Sequence, residues 1–258
     1  MSHKTILVTG ATSGIGEATA RALAAQGHTV LVHGRTQSKD YTADFGDLDA
    51  VRAMAAQVAS DHPELSVLVN NAGAWLPTRQ LSAQGIELTF AANHLAPFVL
   101  TRALLPTLER NAGRVVTVSS ALHTRGRTDF EGQLKAMHYS GMKSYNDSKL
   151  ANALFAFELA RRHPAITSNA LHPGLVRSGL ASGKAGFSAW FFSKVMQPLI
   201  GISTEEGAQT SVFLASDPSV QGVTGRYFSK CAEVQPSADA QDPELGARLW
   251  ELSERLTS

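Results

Sequence analysis

The stretch Thr9-Gly10-Ala11-Thr12-Ser13-Gly14-Ile15-Gly16 decides the fold of this 258-residue chain. The apolar run Ile6-Leu7-Val8 precedes it, and an alanine-rich segment that we predict to be helical, residues 15–26, follows it. A strand, a glycine-rich turn and a helix in this order are typical of the first unit of a dinucleotide-binding sheet. We therefore expect a phosphate-binding turn at the start of the chain.

The three glycines of this turn have separate physical roles. Gly10 can make the tight turn, Gly14 lets the backbone approach a pyrophosphate, and Gly16 lets the helix pack closely against the strand. The positive end of the helix macrodipole then favours the phosphate charge. The alternative is a tight connection between strand and helix that binds no ligand. The order of strand, turn and helix at the start of the chain favours the phosphate-binding turn instead.

Strand and helix signals keep alternating along the chain. Runs such as Val67-Leu68-Val69 are apolar throughout, which indicates strands that helices cover on both faces. The predicted strands are residues 4–9, 29–33, 42–45, 66–69, 114–118 and 166–171. The predicted helices are residues 15–26, a helix capped by Asp47, 86–110 and 144–162. We expect an α/β, single-domain Rossmann fold over residues 1–258, with a doubly wound parallel sheet and helices on both faces.

Composition and charge exclude several classes of protein. The formal net charge is +1, which gives no electrostatic basis for binding nucleic acid or an anionic membrane. Cys231 has no partner for an internal disulfide, which favours a reducing compartment. No apolar stretch is predicted to be long enough for a membrane span or a signal-peptide core. We expect a soluble cytoplasmic protein with no nucleic-acid or membrane partner, and the sequence leaves homo-oligomer formation open.

The end of the second predicted strand carries the residue that selects the nucleotide. This strand ends Val32-His33-Gly34-Arg35, and no acidic residue occurs between Glu17 and Asp40. Sites for NAD usually place an acidic side chain here to bind the ribose 2′-hydroxyl, whereas arginine suits a 2′-phosphate. A solvated surface arginine is the alternative. We predict NADP as the cofactor, with NAD as the second choice.

Tyr145 and Lys149 are candidate acid/base residues. They lie four positions apart on the predicted helix 144–162, so both side chains emerge from one face. A free phenol has a pKa of about 10, too high for a good base at neutral pH. An ammonium roughly 4 Å away would stabilise the phenolate by about 4 kcal/mol, or about three pKa units. Such a pair alone is common on helix surfaces, so the spacing by itself also fits an ordinary surface pair.

Several motifs together resemble the short-chain dehydrogenase/reductase family. They are T-G-x-x-x-G-x-G at 9–16, N-N-A-G at 70–73, the serine at 120, Y-x-x-x-K at 145–149 and H-P-G-L-V at 172–176. They follow the family's order from residue 4 to residue 176. Residues 145–162 and Gly225-Arg226-Tyr227-Phe228 are most similar to the retinol-dehydrogenase-like branch.

The resemblance implies an NADP(H)-dependent oxidoreductase that transfers a hydride between the nicotinamide and a small carbonyl or alcohol substrate. Ser120 would polarise the substrate oxygen and Tyr145 would be the acid/base. Lys149 would lower the tyrosine pKa, bind the nicotinamide ribose and pass on protons. Asn93 would shape a water site in that relay. The implied cofactor-binding residues are Gly10, Thr12, Ser13, Gly14, Ile15, Gly16, Arg35, Asp44, Phe45, Asn71, Ala72, Gly73, Tyr145, Lys149, Pro173, Gly174 and Val176.

Two departures from the family pattern bear on the ligand sites. Residues 35–44 are too few for a crossover helix, so we expect a loop there. Ser120 and Tyr145 are 25 positions apart, and the extra segment 121–144 should overhang the substrate site. We expect residues 75–76, 121–144 and 178–200 to hold a lipophilic substrate. The large apolar residues of the last segment would equally suit the core or a subunit interface; they are Phe187, Trp190, Phe191, Phe192 and Met196.

Other interpretations of the sequence remain open. His123 and His138 have no neighbours at metal-ligand spacing, so we expect solvated loop histidines and no metal site. A nucleotide-sensing Rossmann protein without turnover would have little need of Ser120, Tyr145 and Lys149 together. A nucleotide-sugar epimerase usually has a longer C-terminal substrate region than this chain offers.

Overall fold

The computed structural model describes residues 3–134, 138–174 and 202–258. Two sequence predictions lie outside these residues, namely the role of Val176 and the apolar segment 178–200. The segment 121–144 is described except for residues 135–137.

The described strands form one eight-stranded sheet. They are β1 (Thr5–Val8), β2 (Thr29–Gly34), β3 (Tyr41–Thr42), β4 (Leu65–Asn70), β5 (Arg114–Val118), β6 (Thr167–Leu171), β7 (Tyr227–Ser229) and β8 (Ala232–Glu233). Their order across the sheet is β3-β2-β1-β4-β5-β6-β7-β8. The β7–β8 pair is antiparallel and the other pairs are parallel. This confirms the predicted α/β fold. The direction in which successive strands are added to the sheet reverses between β1 and β4, as in doubly wound sheets.

Helices cover both faces of the sheet. They are α1 (Gly14–Ala25), α2 (Leu48–Asp61), α3 (Leu88–Phe90), α4 (Ala96–Arg110), α5 (Phe130–Leu134), α6 (Gly141–Arg162), α7 (Thr204–Ser216), α8 (Ala238–Gln241) and α9 (Pro243–Thr257). The predicted cap of α2 is confirmed, because the Asp47 side chain accepts from the backbone N–H groups of Asp49 and Ala50. The sequence patterns did not identify β7, β8 or the helices from α7 onward.

The strands divide their side chains between two apolar layers. Leu7, Leu68 and Val115 pack with α2, α4, α6 and α9 on one face. Ile6 and Val116 pack with α1 and α7 on the other. The predicted burial of both faces is confirmed, and it explains why the strand sequences are continuously apolar rather than alternating.

The third strand is shorter and earlier than predicted. We expected residues 42–45, but pairing with β2 stops at Thr42, because β2 itself ends at Gly34. Beyond that point Ala43 and Phe45 turn into the core beside His33. Residues 35–40 contain no helix, which confirms the predicted loop.

The predicted helix 86–110 is interrupted by a π-helical turn, Ala91–Leu95, between α3 and α4. The run Leu88–Arg110 has a mean hydropathy of 1.2 over its most apolar window, which is long and apolar enough to span a bilayer. This corrects the expectation that no stretch qualifies. However, 78% of that window is buried inside the molecule, as is usual for a core helix.

Candidate active site

Four neighbouring strands deliver the candidate site residues to one edge of the sheet. The glycine turn follows β1, Asn71-Ala72-Gly73 follows β4, Ser120 follows β5, and Pro173-Gly174 follows β6. Because β1, β4, β5 and β6 are parallel neighbours, their carboxyl ends lie side by side. This is the edge at which doubly wound sheets bind ligands.

The glycine turn has the geometry that a phosphate cradle needs. Gly10 and Gly14 have φ values of +62° and +61°, which side chains rarely adopt. A Cβ on Gly10 would lie 2.9 Å from Ala72 Cα, and one on Gly16 would overlap the Gly10 carbonyl oxygen. Around Gly14, by contrast, there is open space to 4 Å. The residues of this turn therefore fit a dinucleotide pyrophosphate at the start of α1.

Thr9 ties the glycine turn to the segment after β4. Its hydroxyl donates to the Val69 carbonyl at 3.2 Å and accepts from the backbone N–H groups of Asn71 and Ala72 at 2.9 and 3.0 Å. The Asn71 amide donates to the Thr9 carbonyl at 2.8 Å. Asn71, which lies in the N-N-A-G motif, therefore ties the ends of β1 and β4 together, and no sequence pattern pointed to the role of Thr9.

His33 connects the glycine turn to the adenine side of the predicted cofactor site. Its Nδ1 accepts from the Gly10 N–H at 3.2 Å, while Nε2–H donates to the Ala43 carbonyl at 3.0 Å. Phe45 stacks on the imidazole with 4.5 Å between ring centroids. Burial lowers the pKa of His33, which agrees with a neutral ring in these roles. Phe45 is therefore covered, and Asp44 is the exposed member of the Asp44–Phe45 pair.

Arg35 lies beside the glycine turn. The residue before it, Gly34, packs so closely on the turn that an added Cβ would lie 2.5 Å from Thr12 Cγ2. Arg35 is exposed and has no ion-pair or hydrogen-bond partner within the three described ranges. The nearby Asp40 carboxylate is engaged by the Val32 N–H at 2.8 Å. The guanidinium is therefore free to bind an anion next to the turn.

Ser120 and Tyr145 meet at the end of β5. The Ser120 hydroxyl caps the 3₁₀ helix Ala121–Arg125 by accepting from the Leu122 N–H at 3.2 Å. The Tyr145 side chain projects from α6 close enough to this hydroxyl for the two groups to interact. Burial raises the pKa of Tyr145 above its ordinary value, and the interaction with Ser120 lowers it by less.

Lys149 lies one helical turn after Tyr145 and is 3% exposed. Its Nζ donates to the Val118 carbonyl at 3.0 Å and lies 5.6 Å from the centroid of the Tyr145 ring. Burial lowers the pKa of Lys149 to about 8. We expected this ammonium to bring the tyrosine pKa toward neutrality, but the pKa of Tyr145 is raised instead. The reason is that desolvation disfavours both charged forms, and Nζ lies near the ring and a backbone carbonyl.

Asn93 occupies the π-helical turn and holds the segment after Gly73. Its Oδ1 accepts from the Ala74 N–H at 2.6 Å, and its amide donates to the Ala74 carbonyl and to Ser148 Oγ, each at 2.9 Å. Ser148 in turn donates to the Tyr145 carbonyl at 2.8 Å. Asn93 thus links the turn after β4 to the catalytic helix, while its predicted water-site role stays a prediction.

Gly73 lies where three parts of the site come close together. A Cβ there would lie 3.4 Å from both Asn93 Oδ1 and Lys149 Nζ. The segment after β4, the π-helical turn and α6 therefore meet within contact distance. Pro173 and Gly174 follow β6 at the same edge, with Gly174 exposed.

The described residues of segment 121–140 contact α6 and the chain that follows Gly73. Arg127 makes two contacts of 2.7 Å with Asp147, one from its backbone N–H and one from its guanidinium. Tyr139 donates to the Leu76 carbonyl at 2.9 Å. His138 is exposed, as expected. The prediction that His123 is solvated is wrong, because the ring is 3% exposed and packs on Tyr227.

The arrangement combines an anion cradle with a hydroxyl, a phenol and an amine at one sheet edge. A nicotinamide dinucleotide laid from Arg35 along the glycine turn would reach Ser120, Tyr145 and Lys149, which lie beyond β4. The bound cofactor would supply a hydride, and the side chains would polarise an oxygen and exchange a proton. This combination supports oxidation–reduction of an alcohol and carbonyl pair.

Comparisons with known proteins agree with this chemistry. The profile of the family described as short chain dehydrogenase matches residues 4–185. Retinol dehydrogenase 14 of Mus musculus is 36% identical over 294 residues, covering 98% of this chain and 86% of the relative. The crystal structure of a Mycobacterium paratuberculosis protein is 32% identical with a TM-score of 0.77, covering 99% of this chain and 94% of that one.

A further solved structure contains NADPH. It is a blue fluorescent protein from a metagenomic library in complex with NADPH, 27% identical with a TM-score of 0.67. The match covers 87% of this chain and 95% of that one. The family profile matches more than half of the chain, and the mouse relative aligns with 98% of it. This chain therefore belongs to the short-chain dehydrogenase/reductase family of oxidoreductases.

Proposed function

We propose that this chain is an NADP(H)-dependent oxidoreductase that interconverts a lipophilic carbonyl compound and its alcohol. One observation carries the proposal. Ser120, Tyr145 and Lys149, from two separate elements, meet at the sheet edge that also holds the glycine turn. A protein that only binds nucleotide has no need of this hydroxyl, phenol and amine together.

In the reductive direction Tyr145 acts as the acid. Because burial keeps the phenol protonated at neutral pH, Tyr145 is poised to donate a proton to the oxygen of a carbonyl substrate. Ser120 donates a hydrogen bond to the same oxygen and so stabilises the developing negative charge. Lys149, whose pKa is about 8, can return a proton toward the tyrosine after turnover and can bind the nicotinamide ribose.

The choice of NADP rests on Arg35. Members of the family use NAD or NADP, and the residue after the second strand here is an exposed arginine beside the glycine turn rather than a carboxylate. The planar guanidinium matches a 2′-phosphate in a bidentate way. A structural neighbour of the same fold binds NADPH, which supports the phosphorylated cofactor as the ligand of this chain.

The substrate class rests on the relatives and on segment 121–140. Retinol, after which the mouse relative is named, is an apolar alcohol. In this chain Tyr139 and Arg127 hold segment 121–140 against Leu76 and α6, next to Ser120. A segment that covers the site in this way suits a substrate whose apolar surface is buried on binding. The cytoplasmic location and the lack of a membrane partner stay predictions.

The test is NADPH consumption with a panel of apolar aldehydes, ketones and quinones. We expect oxidation of NADPH with formation of one alcohol for each cofactor consumed, and faster turnover for the more apolar carbonyl compounds. A nucleotide sensor, the second candidate, would bind NADPH tightly without turnover of any panel member. Tight binding combined with no alcohol product across the panel would therefore contradict the proposed activity.

A further inference from the structure

Behind Ser120 lies a buried pair of side chains, His123 and Tyr227, that the proposed mechanism does not use. His123 belongs to the 3₁₀ helix that Ser120 begins, and Tyr227 is the first residue of β7. They are 3% and 2% exposed, and their ring centroids are 4.8 Å apart. The pair therefore joins the serine's own segment to a strand from the C-terminal part of the chain.

The two side chains meet at the backbone carbonyl of Ser120. His123 Nδ1 lies 2.7 Å from this oxygen, and the Tyr227 hydroxyl donates to it at 3.2 Å. A carbonyl oxygen can only accept, so Nδ1 carries the proton. The lone pair on Nε2 then accepts from the Ser237 N–H at 3.1 Å. Both ring nitrogens are thus assigned by their partners.

Only the neutral ring satisfies these contacts. A proton on Nε2 would face the N–H of Ser237, which cannot accept. Burial lowers the pKa of His123, in the same direction as the hydrogen-bond pattern. His172, immediately after β6, also packs near Tyr227, with ring centroids 5.9 Å apart. The cluster therefore connects the ends of β5 and β6 with β7.

Together with the His123 backbone N–H, which donates to the same oxygen at 3.0 Å, the two side chains restrict rotation of the backbone that carries the serine side chain. A rotation of the Ser120 peptide would move the hydroxyl away from Tyr145, and small misplacements of such groups are costly to catalysis. We propose that His123 and Tyr227 are positioning residues that hold the Ser120 hydroxyl against Tyr145. The inference rests on the proposed oxidoreductase function for its kinetic consequences, but the position of Ser120 can be measured without turnover.

Two substitutions of His123 separate positioning from packing. The amide nitrogen of asparagine can take the place of Nδ1 and donate to Ser120, whereas glutamine extends to the place of Nε2 and faces Ser237. We expect His123→Asn to keep kcat within about two-fold of wild type and His123→Gln to lower it by about ten-fold. KM and the Kd for NADPH should stay unchanged in both. A merely structural histidine would give the two variants equal losses.

Tyr227→Phe tests the second donor, because it removes only the hydroxyl. We expect a fall in kcat of about three-fold to ten-fold without a change in KM. Combined with His123→Gln, the loss should differ from the product of the single losses, since both groups donate to the same carbonyl. Multiplicative losses would mean that the two side chains act independently, which contradicts the proposal.

A spectroscopic readout keeps the inference testable if turnover is absent. The NMR chemical shift of the hydroxyl-bearing ring carbon of Tyr145, identified by its loss in Tyr145→Phe, reports the interaction of this phenol with the Ser120 hydroxyl. We expect His123→Gln to move this signal in the direction that Ser120→Ala moves it, and His123→Asn to leave it in place. An unmoved signal in His123→Gln would overturn the positioning role. Failure of wild type to consume NADPH would instead overturn the proposed function.

Discussion

At the scale of single residues, burial moves the two ionisable side chains of the candidate site in opposite directions. It raises the pKa of Tyr145 and lowers that of Lys149 to about 8. Both shifts favour the neutral form, so the tyrosine is an acid and the lysine is easily deprotonated. A site prepared in this way can donate a proton to a carbonyl oxygen and recover it from the adjacent amine.

The lysine shift predicts a pH dependence of stability. Folded Lys149 titrates near pH 8 and an unfolded lysine near 10.5, so the unfolded chain binds more protons between these values. The free energy of unfolding should therefore rise with pH across this window, by at most about 3 kcal/mol from this residue. Below pH 8 both states hold the proton and the cost of burying the charge is fully present.

The measurement is urea unfolding of wild type and Lys149→Met at several pH values from neutral to about 10. Relative to the variant, wild type should gain stability as the pH rises. Lys143→Met, which changes an exposed lysine on the same helix, should show the pH dependence of wild type. Parallel curves for wild type and Lys149→Met would show that Lys149 is not desolvated.

Arg35 carries a second prediction at this scale. Arg35→Ala should weaken NADPH binding by about ten-fold to a hundred-fold and leave NADH binding nearly unchanged, because only NADPH has the 2′-phosphate. Arg102→Ala, which changes a half-exposed arginine on α4, should affect neither cofactor. Titration calorimetry with both cofactors measures the ratio. An equal loss for NADPH and NADH would rule out the phosphate contact.

Motif residues were predictable because their roles are local. Gly10 and Gly16 need only a strand, a turn and a helix, and the backbone angles and close contacts agree with that interpretation. His123 was not predictable in the same way. Its burial depends on Tyr227 and Ser237, which are 104 and 114 positions away along the chain. No local pattern distinguishes such a histidine from a solvated one.

At the scale of elements, the segment between β5 and α6 is held to the catalytic helix by one partly buried ion pair. The Asp147 carboxylate is 3% exposed and Arg127 is 47% exposed. Burial raises the pKa of Asp147 even with the guanidinium beside it. Removing the Arg127 side chain would leave a buried carboxylate whose remaining hydrogen bond from the described residues of this segment is the backbone N–H of residue 127.

We therefore expect Arg127→Ala to lower the free energy of unfolding by about 1–3 kcal/mol and to loosen segment 121–134. Arg21→Ala is the matched control, since its pair with Glu205 is more than half exposed on both sides and should contribute at most about 1 kcal/mol. Urea unfolding gives the energies, and amide exchange of residues 121–134 gives the local effect. A loss for Arg127→Ala no larger than the control would contradict the anchoring role.

Element boundaries show what periodicity cannot reveal. The helical pattern over 86–110 was correct, but nothing in it marks the π-helical turn at Ala91–Leu95. The interruption becomes meaningful only when the Asn93 side chain is seen to bond Ala74 and Ser148. Turns of this kind occur often at functional sites because they re-aim one side chain at the expense of a regular helix.

At the scale of the whole molecule, the site exists because parallel strands place distant residues side by side. The alternating pattern predicted a doubly wound parallel sheet, and the strand order of that sheet brings together the β5 and β6 ends, the helix α6 and the glycine turn. The strands β7 and β8 were not predicted, since they are only three and two residues long. They nevertheless reach the site through Tyr227 and the Ser120 carbonyl.

The most direct test of the central claim is single-turnover consumption of NADPH in Tyr145→Phe and Ser120→Ala, with an apolar carbonyl substrate identified from the panel. If the two side chains act together on the substrate oxygen, Tyr145→Phe should slow hydride transfer by at least about a hundred-fold while NADPH binding stays intact. The double variant should lose much less than the product of the single losses. Hydride transfer in Tyr145→Phe at the wild-type rate would contradict the account.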